Sequence, residues 1–252
     1  MRLRMIHQAG YEFDCEQYSV LGEARLQPQF TQRQTILASD VNIEPTAWRM
    51  DYIDYWGAHV VAFNAHVARG TFKVTATTDL EVELYVEESA PGLGWVGLGD
   101  VQAMDALAEF LEVDENYLVD PEIQELRQQA ADPMAFLHGL GYQGKLMGDD
   151  AALDDMIAAL RWAGIPTRVV SGYLIDAELP LRSIRDAAVH GWLQIWDGSW
   201  LGWDPRLACV PDQRHIVMAT ARQRADIPVL TAVNDCDQPA RGFQEVSVER
   251  IA

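Results

Sequence analysis

Two stretches of strict alternation stand out in the first third of the chain. Phe72, Val74 and Ala76 alternate with Lys73, Thr75 and Thr77, and Leu80, Val82, Leu84 and Val86 alternate with Glu81, Glu83 and Tyr85. A period of two with one apolar face predicts half-buried antiparallel strands. Shorter runs of the same kind occur at 2–7, 18–26, 47–52 and 59–64, separated by turn residues, so residues 1–90 are expected to form an antiparallel β-sandwich. Pro91-Gly92-Leu93-Gly94 breaks the pattern and marks a domain boundary.

Beyond that break the period lengthens. Asp100 precedes a helical spacing through Val101, Met104, Leu107 and Leu111, and Asp120-Pro121 and Asp132-Pro133 are two cap-plus-proline helix starts. A further helix places Leu153, Met156, Ile157 and Leu160 on one face and stops at Gly164. Strands are then expected over 168–174, 191–196, 200–204, 215–219 and 243–248. The pattern as a whole predicts an α+β chain: a sandwich over residues 1–90, then a domain over 91–252 whose last strands are free to return to the first sheet.

Composition narrows the partners. Lysine and arginine number 19 against 38 acidic residues, a formal charge of -19, which repels phosphate backbones and anionic lipid. Neither nucleic acid nor a membrane is expected as a partner, and no run approaches the length of a membrane span. Cys15, Cys209 and Cys236 are far apart and odd in number, which predicts free thiols, a reducing compartment and a cytoplasmic location.

The chemistry concentrates in one predicted hairpin. Val189-His190-Gly191-Trp192 and Trp203-Asp204-Pro205 flank the turn Asp197-Gly198-Ser199. A three-residue turn pairs Trp196 with Trp200 and Trp192 with Asp204, and leaves His190 diagonal to Asp204 on the same face. A two-residue turn would send His190 to the other face. In the first register a carboxylate can fix the imidazole tautomer and stabilise its charged form; in either, a histidine beside a turn aspartate can be purely structural.

Residues 157–174, with Gly164-Ile165-Pro166-Thr167-Arg168 at their centre, resemble the core of bacterial transglutaminase-like proteins. His190-Gly191-Trp192 is similar to their His-Ala-Trp, and Trp203-Asp204-Pro205 to their Asp-Pro. Asp212 to Ile216 and Arg224 to Pro228 resemble their closing segment, and the N-terminal strands the β-sandwich that precedes the catalytic domain. The resemblance implies a papain-like α+β domain in which a helix packs on an antiparallel sheet. It also implies acyl transfer or amide hydrolysis through a thioester, with cysteine as nucleophile, histidine as base and acid, and aspartate as orienter.

The cysteine is missing from this pattern. The family opens its helix with Gly-x-Cys-x-Asp; counted back from Ile165-Pro166, the cysteine falls on Asp149 and the aspartate on Ala151. The segment 131–148 is also shorter than in the family. Asp149 can cap the helix, act on substrate as base or nucleophile, or join His190 and Asp204 as a one-histidine, two-carboxylate metal set. No pattern of residues that would hydrogen-bond and orient such ligands supports that last option, so no metal or cofactor is expected. Trp192 and Trp203 are candidates for ligand stacking or for core filling. The expected protein has lost its thiol and binds peptide or protein, alone, as a homo-oligomer or beside an active paralogue. The alternative is an amide hydrolase or acyltransferase that uses Asp149, His190 and Asp204, with or without a metal.

Overall fold

The computed structural model describes residues 1–83, 92–115, 117–142, 150–176, 178–237 and 240–252. In chain order the strands are β1 (Arg2–Ala24), β2 (Gln34–Glu44), β3 (Trp48–Ile53), β4 (His59–Val82), β5 (Thr167–Leu174), β6 (Ile184–Asp186), β7 (Ala188–Trp196), β8 (Trp200–Trp203), β9 (His215–Ala221), β10 (Leu230–Asn234) and β11 (Arg241–Arg250). The helices are α1 (Gly94–Gly97), α2 (Val101–Asp105), α3 (Pro121–Gln129), α4 (Pro133–Tyr142) and α5 (Asp150–Trp162). The fold class is α+β, with an N-terminal antiparallel sheet. Among the described residues no helix is long and apolar enough to cross a membrane.

The first sheet runs β2-β4-β1-β11-β6, with β3 added to β4 and β10 to β1. β1 and β4 are paired along almost their whole length, and they do not stay straight. The rings of Phe63 and Phe72, both on β4, lie 4.7 Å apart, although nine extended residues span about 30 Å. The strand pair therefore folds back on itself, at Gly70 (φ +136°) and at a bulge between Phe13 and Gln17. Burial changes parity across the bend, from Phe63, Ala65 and Val67 to Phe72, Val74 and Ala76 on β4. That flip is why the sequence reads as several short runs where the fold has two long strands. β2 escapes the sequence pattern because a bulge between Ile36 and Ala38 interrupts it and few of its side chains, among them Val41 and Ile43, are buried.

The second sheet has the order β8-β7-β5-β9. α5 lays Leu153, Met156, Ile157 and Leu160 against Val169, Leu193 and Ile195 on one face of it. Gly164, at φ +84°, ends the helix, and the Ile165 amide donates back to the Leu160 carbonyl at 3.0 Å. Asp120 caps α3 through the Glu122 amide, and Asp132 Oδ1 accepts from Ala135 at the start of α4. Where one helix is expected over 101–111, the chain breaks into α2 and a 3-10 turn at Ala108–Phe110.

The two sheets meet through Leu3, Met5 and Leu80 on one side and Tyr173, Ile216 and Met218 on the other. The cysteine expectation needs correction, because Cys236 is disulfide-bonded and Cys209 alone among the described residues is a free thiol; the side chain of Cys15 lies outside the described residues. Antiparallel pairing of β10 with β1 aligns Asn234 with Val20, a proximity across more than two hundred residues that spacing along the chain cannot reveal. The composition argument for a reducing compartment thereby loses its premise.

His7 is fully buried at the sheet–sheet contact, where its Nε2 lies 2.9 Å from the Tyr173 hydroxyl and Gln244 donates to the same hydroxyl. Burial lowers the His7 pKa to about 4. Between that value and the ordinary 6.5 the unfolded chain takes up a proton that the fold refuses. Stability from this group is therefore complete above pH 6.5 and declines as the pH falls toward 4, by up to about 3 kcal/mol. Urea unfolding of the wild type and His7→Gln between pH 7 and about pH 4.5 should show the wild type losing the advantage. Parallel pH curves for the two proteins would refute this assignment.

Candidate active site

The hairpin forms in the three-residue register. Trp196 pairs with Trp200 and Leu193 with Trp203, which sets Trp192 opposite Asp204. Alternate residues of β7 face opposite ways. Leu193 and Ile195 turn to α5, and Gly191 lies beneath it, since a Cβ there would sit 3.1 Å from Leu153. His190 and Trp192 lie on the other face. Gly172 pairs with His190 across β5, and the Trp192 indole packs over the bare glycine, where a Cβ would come within 2.6 Å of the ring.

His190 and Asp204 meet directly: Nε2 donates to Oδ2 over 2.6 Å. A second imidazole completes the arrangement. His215, at the start of β9, donates from its own Nε2 to the same Oδ2 at 3.0 Å. The Asp212 amide donates to His215 Nδ1 at 3.0 Å, which leaves the His215 proton on Nε2. Asp204 Oδ1 accepts from the Arg206 and Leu207 amides in the turn that follows. Four donors thus fill the four lone-pair directions of a carboxylate with no exposed surface. Burial by itself would raise the Asp204 pKa; the His190 and His215 hydrogen bonds outweigh it and hold the group well below the usual carboxylate range.

His190 Nδ1 has no hydrogen-bond partner among the described residues. With Nε2–H committed to Asp204, that nitrogen carries a lone pair and can accept a proton. A ring so oriented has the geometry that general-base chemistry requires. Trp192 backs both imidazoles, stacked on His190 at 6.0 Å between centroids and edge-on to His215 at 5.2 Å. It is 1% exposed and acts as packing for the rings.

Of the residues singled out from sequence, the structure brings His190, Asp204 and Trp192 together. Trp203 lies on the opposite face, on the α5 side, with its ring 4.6 Å from His138 and its indole N–H buried without an acceptor among the described residues. Asp149 lies outside the described residues, immediately before the first residue of α5. His215 was missed. Eleven residues separate it from Asp204 with no periodic relation, and its one sequence signal is a histidine heading the apolar run of β9.

The donor set invites a metal test. Among the described residues, His190, Asp204 and His215 place three ligand-type atoms within 4.8 Å of one another. Yet both Nε2 protons point at one oxygen whose lone pairs they occupy, so a divalent ion would have to displace both. The arrangement fits a hydrogen-bonded ion cluster better than an ion cage.

Cys209 follows Asp204 closely and pairs with it through the backbone, at 2.8 and 3.2 Å. Burial raises its thiol pKa, and the charges of Asp204 and Asp212 add to the effect. No hydrogen bond joins its sulfur to either imidazole among the described residues.

Comparison with known proteins gives a coherent result. The model of the bacterial transglutaminase-like N-terminal region matches residues 3–81, and that of the transglutaminase-like superfamily matches residues 102–205. An uncharacterised protein of Mycobacterium leprae is 26% identical over 267 residues, covering 92% of each chain. An uncharacterised protein of Mycobacterium tuberculosis is 26% identical over 278 residues, covering 92% of this chain and 87% of its own. A solved structure from Cytophaga hutchinsonii, described as that of a cysteine protease, superposes with a TM-score of 0.71 at 16% identity, over all of this chain and 91% of its own. At that identity the likeness concerns the fold.

Replacing Asp204 with asparagine should expose how much the ion cluster holds together. Asp204→Asn swaps an acceptor for a donor facing N–H groups, at a cost of about 3–5 kcal/mol near pH 7. Because the folded pKa is depressed, the charged group contributes fully above about pH 4 and progressively less below it. The gap between wild type and variant in denaturant unfolding should therefore narrow as the pH drops below that point. A gap that is small, or constant with pH, would show that Asp204 is not held ionised by the two histidines.

Proposed function

We propose that this chain, whose residues 3–81 match the bacterial transglutaminase-like N-terminal region and whose residues 102–205 match the transglutaminase-like superfamily, is a non-catalytic peptide- or protein-binding member of that superfamily that has lost its nucleophile. The observation that supports this is that the free thiol among the described residues, Cys209, is not activated. The residue in the cysteine's place by sequence is Asp149, and the free thiol at Cys209 is pushed toward its protonated form and makes no hydrogen bond to His190. A helix terminus that would activate a thiolate makes a carboxylate a weaker nucleophile, and amide attack by Asp149 would have to pass through an anhydride.

His190 and Asp204 then serve mainly the fold, as a buried ion cluster. A second reading draws on one feature: the His190 ring is oriented and its Nδ1 is open, as a general base requires. On that reading Asp149, His190 and Asp204 hydrolyse an amide or transfer its acyl group, with or without a metal.

Two measurements separate these readings. Assays for amine incorporation into casein and for hydrolysis of a peptide library, with and without added divalent ions, should give no turnover above buffer. Turnover that His190→Ala abolishes would establish the enzyme and end the proposal. In parallel, Asp149→Cys tests whether position 149 faces the imidazole. If it does, iodoacetamide should alkylate the introduced thiol at pH 6 roughly ten times faster than an ordinary thiol, and His190→Ala should remove that advantage. An unactivated thiol would show that Asp149 does not stand in the nucleophile's place.

A further inference from the structure

On the sheet face opposite α5 lies a cavity of about 670 Å³, lined on its far side by residues 29–33 of the connection between β1 and β2 and by Gln34 at the start of β2. One end touches Trp192 and His215; the other is built around Arg168. This arginine rises from β5 opposite Gln194 of β7, and its Nε donates to the Gln194 Oε1 at 2.8 Å. Its guanidinium carbon stands 4.1 Å from the centre of the Trp200 indole, whose ring is in turn edge-on to Trp196 at 5.6 Å. Trp56 closes the same end.

What Arg168 lacks is an anion. Among the described residues it has no ion-pair partner, and its terminal nitrogens make no hydrogen bond. The acids that also line the cavity do not reach it: neither Glu83 nor Asp212 bonds Arg168, and Asp212 is held by Arg214 at 2.9 Å. This happens in a chain with twice as many acidic as basic residues. Burial lowers the Arg168 pKa to about 10, so it stays cationic at neutral pH while paying for desolvation. Arg161, also largely buried, directs its donors to the carbonyls of Thr167, Arg222 and Glu112. Arg168 lines the cavity and keeps its two terminal amino groups without a hydrogen-bond partner among the described residues.

We propose that this cavity is a binding site for a carboxylate carried on an apolar or aromatic body, the carboxylate accepting from the Arg168 terminal nitrogens and the apolar part resting on Trp196 and Trp200. A planar fork of donors matches a carboxylate bidentately, and a guanidinium pinned by stacking and by one hydrogen bond loses little freedom on binding it. The indole walls supply the apolar contact. Two sources have this chemistry, a small aryl or alkyl carboxylic acid and the C-terminus of a peptide ending in an apolar residue. The site does not depend on whether His190 takes part in any reaction.

Tryptophan fluorescence and isothermal titration of the intact protein test it, with 3-phenylpropionate and N-acetyl-Ala-Phe as probes, each beside its primary amide. The acids should bind saturably, and the amides at least ten times more weakly. Arg168→Met, with folding checked by thermal unfolding, should lose the same factor for the acids and so erase their advantage over the amides. The tighter of the two acids identifies the source. Acid and amide binding equally well to the wild type, or no saturation by either acid up to about 10 mM, would overturn the proposal whether or not the variant folds.

Discussion

A carboxylate with no access to water has to find its donors inside the protein, and Asp204 finds four. That requirement couples parts of the chain that share no local structure. The turn after β8 must present two amides, β7 must bring His190 from one side, and β9 must bring His215 from the other. Coulomb attraction inside a low-dielectric interior makes each donor worth more than it would be on the surface, and makes any missing one costly. The imidazole tautomers follow from the same demand, because each Nε2–H is taken up by the shared oxygen. His190 Nδ1 is left without a hydrogen-bond partner among the described residues as a consequence.

Small residues make this cluster sterically feasible. Gly172 admits the Trp192 indole behind the two imidazoles, and Gly191 admits Leu153 of α5 on the reverse face of the same strand. The sheet therefore separates two functions by side-chain parity alone. One face buries the helix and its leucines; the other holds the ion cluster at one end and the Arg168 cavity at the other. A substitution at either glycine would move β7 and with it the ring that the carboxylate holds.

The frame around the site is set by two unusually long strands. β1 and β4, of 23 and 24 residues, bend together so that one sheet supplies both layers of a sandwich. β10 and β11 then return from beyond the second sheet to pair with β1. The chain's two ends are thereby part of one hydrogen-bonded layer, and the contact through His7 and Tyr173 ties that layer to the sheet that carries the site.

Local chemistry decided a good deal of this in advance. The leucine spacing and Gly164 set α5, the caps at Asp120 and Asp132 set α3 and α4, and the Asp197-Gly198-Ser199 turn placed a hairpin between His190 and Asp204 in either of two registers, of which the pairing of Trp196 with Trp200 then selected one. These are short-range properties, in which neighbours within a few residues determine the backbone. The bend in β1 and β4, the strand β2, the half-cystine at Cys236, the second imidazole of His215 and the unpaired Arg168 depend instead on what distant segments bring into contact. A periodic pattern records which face of an element is apolar, whereas the partner of a buried charge is chosen only when the elements pack.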